Sequence, residues 1–132
     1  MEDSVFTKII KGEIPCHKVY EDDFSLAFMD IHPIQPGHVT VVSKLQVANF
    51  YELPSAEYDG FWRAVRKVAE QLKSAYQDKK KIAVQVEGLE VEHVHAKLFP
   101  FNNAHEFHNR PEQSEPDHDQ LAKTAEKLRI EE

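Results

Sequence analysis

Two histidines and a lysine occupy alternate positions in the segment HVHAKLFP, residues 93–100. His93, His95 and Lys97 would point to one side of an extended strand, because side chains two residues apart share a face. An imidazole that is neutral near pH 7 is a good nucleophile when a neighbouring group orients its second ring nitrogen. The same pair could supply two ligands to a metal, or could belong to an ordinary hydrogen-bonded strand face.

The metal interpretation has the weakest support. A zinc site needs three or four converging ligands, and no cysteine lies near the histidine pair. The remaining candidates, His105 and His108, fall in a segment with the composition of a loop, so their direction cannot be assigned. We therefore expect no metal and no other cofactor, and we keep a histidine-rich metal-binding protein as the least favoured alternative.

Alternating and β-branched stretches predict the strands that must position these residues. The chain should form a five-stranded, mostly antiparallel sheet in a single α+β domain that spans residues 1–132. Its core should cover about residues 4–101. The first two strands form a hairpin within residues 17–33 that turns at 21–23, and the others are expected within 37–44, 79–88 and 91–99.

Two helices complete the predicted domain. Apolar residues at helical spacing begin after Pro54, with Ser55 as the expected cap, and this long helix should end at about Gln77. Residues 102–116 are predicted to form a loop, and a short C-terminal helix should follow over residues 117–130. Asp117 and Gln120 are spaced like a capping box, and the apolar stripe of this helix consists of Leu121, Ala125 and Leu128.

Charge and cysteine content limit the kinds of partner. The formal net charge of −7 argues against binding to nucleic-acid polymers or to anionic membranes, although a pocket for a small phosphate compound needs only a few local donors. Cys16 is the sole cysteine and cannot form an internal disulfide, which fits a reducing cytoplasm. No apolar run is long enough to span a membrane, and the acidic start is unlike a signal peptide.

Several separated pieces of the chain agree with one known family. They are FTKIIKGEIP at residues 6–15, VYEDD at 19–23, LAFMDIHP at 26–33, PGH at 36–38 and HVH at 93–95. In this order and at this spacing, the chain resembles the histidine triad (HIT) superfamily of nucleotide hydrolases and transferases over about residues 4–101. The resemblance implies a HIT-like fold, a homodimer with the long helix near its interface, and a nucleotide ligand, with a purine nucleoside phosphate expected.

The resemblance also implies a role for each matching residue. His95 corresponds to the nucleophile, and His93 to the histidine that holds the ring and backbone of the nucleophile. His38 corresponds to a histidine beside the phosphate, and Asp30 to the carboxylate that accepts hydrogen bonds from the ribose. The apolar walls around the base would be Phe6, Ile9, Phe28 and Ile31, although each of these four could equally be an ordinary core residue.

Some positions depart from the family pattern. Lys97 stands where the third histidine is usual, and an ammonium with an ordinary pKa of about 10.4 is a poor proton shuttle at pH 7. We expect Lys97 to contact phosphate oxygens or to pair with Glu90 and Glu92. Three further positions lack metal ligands that relatives often carry there, namely Ser4, Thr7 and Gln46.

Two functions from different classes follow. The first is a hydrolase or nucleotidyl transferase that acts at the α-phosphate of nucleoside phosphoramidates or phosphoanhydrides through a covalent nucleotidyl-histidine. The altered third position supports the alternative, a nucleotide-binding regulatory module with weak or absent turnover.

Overall fold

A five-stranded antiparallel sheet lies at the centre of the computed structural model, which describes residues 2–111 and 113–131. The strands lie side by side in the order β1-β2-β3-β5-β4, and each neighbouring pair is antiparallel. The predicted α+β fold with a five-stranded sheet is confirmed. The strands are β1 (Lys18–Glu21), β2 (Ser25–Met29), β3 (Val39–Ser43), β4 (Lys81–Gln85) and β5 (His95–Phe101).

The long helix covers one face of this sheet. Helix α2 (Ser55–Ala75) follows a short 3-10 turn and lies within two residues of the predicted bounds. Its buried stripe includes Phe61, Val68 and Leu72, which belong to the same core cluster as Val39, Val41, Ala96 and Leu98 of the central strands. Burial of these apolar residues stabilises the helix more than capping does. Ser55 was predicted as the cap, but the cap position is taken by Pro54, which has no side-chain donor or acceptor.

A short helix covers the opposite face of the sheet. The sequence indicates only an apolar-rich segment before Gly12, and the structure shows helix α1 (Val5–Ile10) there. The Ser4 side chain caps it by accepting a hydrogen bond from the Thr7 backbone N–H. Its apolar residues pack on Leu26, Phe28 and Val42, whose alternation along the strands directs them away from α2. We call this second side of the sheet the α1 face.

The C-terminal part of the chain contains one helix that was predicted and one that was not. Residues 102–116 were predicted as a loop, but they include the one-turn helix α3 (Ala104–Phe107), which is capped by the Asn103 side chain. Stacking of Phe107 on Phe99 and Phe101 holds this turn against β5. Helix α4 (His118–Leu128) confirms the second predicted helix, including its cap at Asp117 and its buried residues Leu121, Ala125 and Leu128.

Within residues 2–111 and 113–131, no helix combines the length and the apolar character that crossing a membrane requires.

Candidate functional site

The register of the central strands gathers the polar residues on the α1 face. His95 lies opposite Val42, and Lys97 lies opposite Thr40, which in turn pairs with Phe28 of β2. Because alternate residues share a face, His95 and Lys97 lie on the side that carries Phe28 and Val42. Strand β5 begins at His95, so His93 belongs to the connection that enters the strand rather than to the strand itself.

A hydrogen bond to its own chain orients the ring of His95. Its Nδ1 lies 2.7 Å from the carbonyl oxygen of His93, and because a carbonyl only accepts, Nδ1 must carry the proton. In the neutral ring, Nε2 therefore keeps its lone pair. The side chain is buried. The ring centroids of His95 and Phe6 lie 4.7 Å apart, in an edge-on arrangement. Burial, with the Lys97 charge assisting, lowers the pKa of His95 and keeps the ring neutral.

His93 uses both of its ring nitrogens inside the protein. Nε2 lies 2.6 Å from the Ser43 carbonyl oxygen and donates to it, so Nδ1 accepts from the Ser4 hydroxyl at 2.6 Å. The side chain is fully buried, and burial lowers its pKa. A ring with no available lone pair cannot attack a substrate. His93 instead fixes the backbone carbonyl that orients His95.

Three polar residues around His93 connect helix α1 to the sheet, a role that the sequence pattern did not predict. Ser4 N–H and the Thr7 hydroxyl both donate to Gln46 Oε1, at 2.9 Å and 2.5 Å. The Ser4 hydroxyl, which donates to His93, also accepts from Thr7 N–H at 3.0 Å. These are the three positions where metal ligands are missing. In this chain, hydrogen bonds through these three residues connect helix α1 to His93. The sequence feature that could have indicated this role is Ser4 at the N-cap position of the helix.

His38 is buried with one ring N–H directed toward a carboxylate. Its Nδ1 accepts from Ile34 N–H at 3.0 Å, so Nε2 carries the proton. Nε2 lies 3.6 Å from Asp30 Oδ2, too far for a hydrogen bond, and no acceptor for it is present among the described residues. Burial lowers the pKa of His38 to about 4; the Lys97 charge acts in the same direction and Asp30 opposes it.

Asp30 is held by two donors and keeps capacity to accept more. Oδ1 accepts from His32 N–H at 2.8 Å, and Oδ2 accepts from the Thr40 hydroxyl at 3.1 Å. Each carboxylate oxygen can accept a second hydrogen bond. The side chain is about one-quarter exposed, so a ligand can reach it.

The residues predicted to surround a nucleoside line a single cleft of about 520 Å³ between α1 and the sheet. This size suits a small-molecule ligand, and the lining is mostly apolar, as ligand sites usually are. Phe28 forms part of its buried floor, whereas Ile31 is nearly half exposed at the rim. The cleft brings together all five of the predicted residues, namely Phe6, Ile9, Phe28, Asp30 and Ile31.

Lys97 has a different partner from the one expected. Its Nζ lies 3.9 Å from Glu87 Oε1, whereas Glu90 and Glu92 are exposed and form no ion pair with it. The expected pairing with Glu90 and Glu92 is wrong, because the connection after β4 turns Glu87, and not its neighbours, toward β5. His95 is not among the described residues that line the large cleft; together with Glu87 it lines a second, smaller cavity of about 140 Å³.

Two further histidines, neither named from the sequence, line the large cleft: His17 and His118. His105 and His108 instead lie exposed in and just after α3. Within the described residues, no three histidine, cysteine or acidic side chains converge in a way that would hold a metal ion. The pair at the cleft was missed because its members are about a hundred residues apart in the sequence.

The low pKa of His38 predicts a pH-dependent loss of stability. Its folded pKa of about 4 lies below the ordinary histidine pKa of 6.5, so the unfolded chain binds the proton first as the pH falls. The contribution of neutral His38 to the free energy of unfolding is complete above about pH 6.5 and is lost toward about pH 4. The free energy of unfolding should therefore fall by roughly 2 kcal/mol between about pH 7 and about pH 5. Urea unfolding at both pH values should show a smaller loss for His38→Asn than for the parent or the exposed control His105→Asn. An unchanged pH dependence in His38→Asn would contradict this assignment.

Comparison with known proteins places this geometry in a family. Residues 11–104 match the HIT domain. The chain is 43% identical over 99 residues to a HIT-like protein of Methanocaldococcus jannaschii, covering 73% of this chain and 77% of that one. It is 36% identical to an adenosine 5'-monophosphoramidase of Schizosaccharomyces pombe, covering 75% and 74%. A Hit-like protein of Bartonella henselae, described as involved in cell-cycle regulation and solved with an unknown ligand, superimposes with a TM-score of 0.82 at 30% identity over 98% of each chain. The chain belongs to the HIT family.

Proposed function

We propose that the protein is a nucleotide hydrolase or nucleotidyl transferase that acts at the α-phosphate of nucleoside phosphoramidates or phosphoanhydrides. The observation that carries the proposal is the state of His95: Nδ1–H is held by the His93 carbonyl, and Nε2 keeps its lone pair. Burial maintains that neutral state at physiological pH. The adenosine 5'-monophosphoramidase among its relatives supports the same reaction class.

The cleft suggests how a nucleotide would lie. The base would pack against Phe6 and Phe28, and the ribose hydroxyls would donate to the free lone pairs of Asp30. The α-phosphate would then lie beside His95, on the side of the sheet that also carries His38 and Lys97. The partly exposed Lys97 ammonium is the donor that could stabilise charge on the phosphate oxygens, whereas His38 Nε2–H is buried behind Asp30.

The proposed reaction has two steps. In the first, the Nε2 lone pair attacks phosphorus, a nitrogen–phosphorus bond forms, and the bond from phosphorus to the leaving amine or phosphate breaks, with a leaving amine taking up a proton from solvent. In the second, water or another acceptor attacks phosphorus and releases its proton to solvent, the bond to His95 breaks, and the lone pair returns to Nε2. Because the His93 carbonyl accepts from Nδ1–H throughout, it would stabilise the positive charge that the ring carries in the intermediate.

Replacement of the nucleophile should separate turnover from folding. We expect His95→Ala to lose hydrolysis of an adenosine phosphoramidate by at least about a thousandfold, because no covalent intermediate can form. Mass spectrometry of the parent, quenched during turnover, should detect a nucleotidyl adduct on His95. His108→Ala is the matched control and should keep parental activity, since His108 lies exposed at the end of α3.

The same experiment distinguishes the alternative function. A parent protein that binds AMP but forms no adduct and releases no product would be a nucleotide-binding regulatory module instead. The pairing of Lys97 with Glu87, where the family usually has a third histidine, is the observation that favours this second function. A His95→Ala protein that fails to fold would show that the ring is structural and would count against the catalytic assignment.

Lys97 should affect ligand binding more than chemistry. A fixed cation attracts the phosphate in ground and transition states alike, so Lys97→Met should weaken AMP binding about tenfold with a smaller change in kcat. Lys97→His should raise kcat most for leaving groups that need a proton. Lys81→Met, on the exposed start of β4, is the control for loss of one positive charge. Parental binding and turnover in Lys97→Met would mean that Lys97 serves only its surface ion pair.

We also propose a homodimer with the long helix near its interface, in the cytoplasm. Strand β4 lies at one edge of the sheet, and an unprotected edge is a template for pairing with a second copy. Val84 on this strand is 42% exposed. Three exposed aromatic side chains form a further apolar surface: Phe50 of the 3-10 turn packs against Tyr51 and Trp62, and Tyr58 of α2 also packs against Trp62. Such aromatic residues are typical of interfaces.

Sedimentation of the purified chain at micromolar concentration should show a dimer. Val84→Lys should dissociate it, because a charge would be placed on the edge strand that pairs. Lys81→Met, at the exposed end of the same strand, should remain dimeric. A monomeric parent would overturn the proposed assembly without bearing on the chemistry at His95.

A further inference from the structure

The connection between β2 and β3 carries Asp30 at one end and His38 at the other. The two ends of this turn, residues 30–38, are joined by the hydrogen bond from Asp30 N–H to the His38 carbonyl at 3.1 Å. Within the turn, His38 N–H donates to the Gln35 carbonyl at 3.1 Å, and His38 Nδ1 accepts from Ile34 N–H at 3.0 Å. His38 therefore closes the 30–38 turn with both its backbone and its ring.

The ring of His38 faces protein on every side. The residue is only 1% exposed, and its ring packs on Phe99 with the centroids 5.7 Å apart. Nδ1 is used by Ile34, and the buried Nε2 lies 3.6 Å from Asp30 Oδ2. The histidine expected beside the phosphate therefore lies against the carboxylate that is expected to hold the ribose.

The spacing between His38 and Asp30 leaves the carboxylate able to bind a ligand. A separation of 3.6 Å is too long for a hydrogen bond, so Nε2–H does not use a lone pair of Oδ2. The N–H dipole still attracts the carboxylate across this distance. Burial lowers the pKa of His38 to about 4, so at neutral pH the ring presents an N–H group and not a cation.

The other donors around Asp30 complete its orientation. Oδ1 accepts from His32 N–H and Oδ2 accepts from the Thr40 hydroxyl, so each oxygen keeps one lone pair for a further donor. Two such oxygens side by side match the two neighbouring hydroxyls of a ribose. Acceptance of both hydroxyls requires that the carboxylate plane be held in one orientation.

Helix α3 supports the 30–38 turn from the outside. The Gln35 side chain donates to the Glu106 carbonyl at 2.9 Å, and the Asn109 side chain donates to the Ile34 carbonyl at 2.8 Å. Helix α3 is itself held on β5 by the ring of Phe107. The residue that donates to His38 Nδ1 is thus fixed on its carbonyl side as well.

We propose that His38 is a positioning residue for Asp30, and that it sets the preference of the cleft for ribonucleotides over nucleotides that lack the 2′ and 3′ hydroxyls. It closes the turn that carries the carboxylate and faces Oδ2 with its N–H, and it touches neither the phosphate nor the reacting atoms. The assignment rests on the proposed function, because it requires a nucleotide with its ribose at Asp30.

Calorimetric titration with AMP and 2′,3′-dideoxy-AMP tests this role. His38→Asn keeps an oxygen that can accept from Ile34 N–H but removes the N–H that faces Asp30. The dissociation constant of AMP should rise about tenfold, as weakened hydrogen bonds to a charged group predict, and that of dideoxy-AMP less than about twofold. With an adenosine phosphoramidate, KM should rise by a similar factor while kcat changes less than about twofold.

A double-mutant cycle shows whether His38 acts through Asp30. In an Asp30→Asn background, His38→Asn should raise the dissociation constant of AMP by less than about twofold more, because the carboxylate that it positions is gone. Asn109→Ala releases the turn from α3 at an exposed position, so it puts the fold at little risk. It should weaken AMP about threefold without affecting dideoxy-AMP.

The controls separate the possible failures. His105→Asn changes an exposed histidine away from the turn and should leave both affinities at the parental values. Equal losses for the two ligands, additive effects in the cycle, or parental AMP binding in His38→Asn would each overturn the positioning role while leaving the proposed function intact. If His38→Asn does not fold, equal effects of Asn109→Ala on the two ligands would overturn it instead. A parent that binds neither nucleotide and forms no adduct would defeat the proposed function, and this inference with it.

Discussion

The hydrogen bond from His95 Nδ1–H to the His93 carbonyl is the interaction on which the candidate site depends. It selects one tautomer, because a carbonyl oxygen cannot donate, and it thereby keeps the lone pair on Nε2. The carbonyl is itself fixed, since the His93 side chain is anchored at one nitrogen by Ser43 and at the other by Ser4. Substitutions at the N-terminus of α1, such as at Ser4, should therefore alter the orientation of the His95 ring.

Burial supplies the second requirement, which is that the imidazoles remain neutral. His38, His93 and His95 all have lowered pKa values, and in each case removal from water is the main cause. Lys97 acts in the same direction on His38 and His95 and also provides the positive charge that a phosphate would need. The 3.9 Å ion pair to Glu87 is partly exposed and weak, so a phosphate can compete for the ammonium.

The sheet separates stability from function by its two faces. One face carries the apolar residues that pack beneath α2, and the other carries the histidines, Thr40 and Lys97 beneath the much shorter α1. A six-residue helix cannot bury as much surface as one of 21 residues, and the space left beside it is the cleft. Ligand binding therefore needs no opening of the main core.

The local part of this description could be read from the sequence. The alternation of His95 and Lys97 predicted their shared face, although His93 lies before the strand, the helical spacing after Pro54 predicted α2, and Asp117 predicted the cap of α4. Of the residues that the resemblance to the HIT family named, those assigned to the nucleoside line one cleft, whereas His95 and Lys97 are not part of its lining. All of these signals act over a few residues, where strand and helix periodicity alone determine direction.

The contacts between distant segments were decided by the tertiary structure. Ser4 meets His93 across 89 positions, His17 meets His118 across 101, and Glu87 rather than Glu90 or Glu92 faces Lys97. No periodicity encodes such pairs, because they depend on how helices and connections pack against the sheet. The sequence by itself determined which side chains share a face of the sheet. Their partners across that face, and with them the protonation of each imidazole, were determined only when packing brought the elements together.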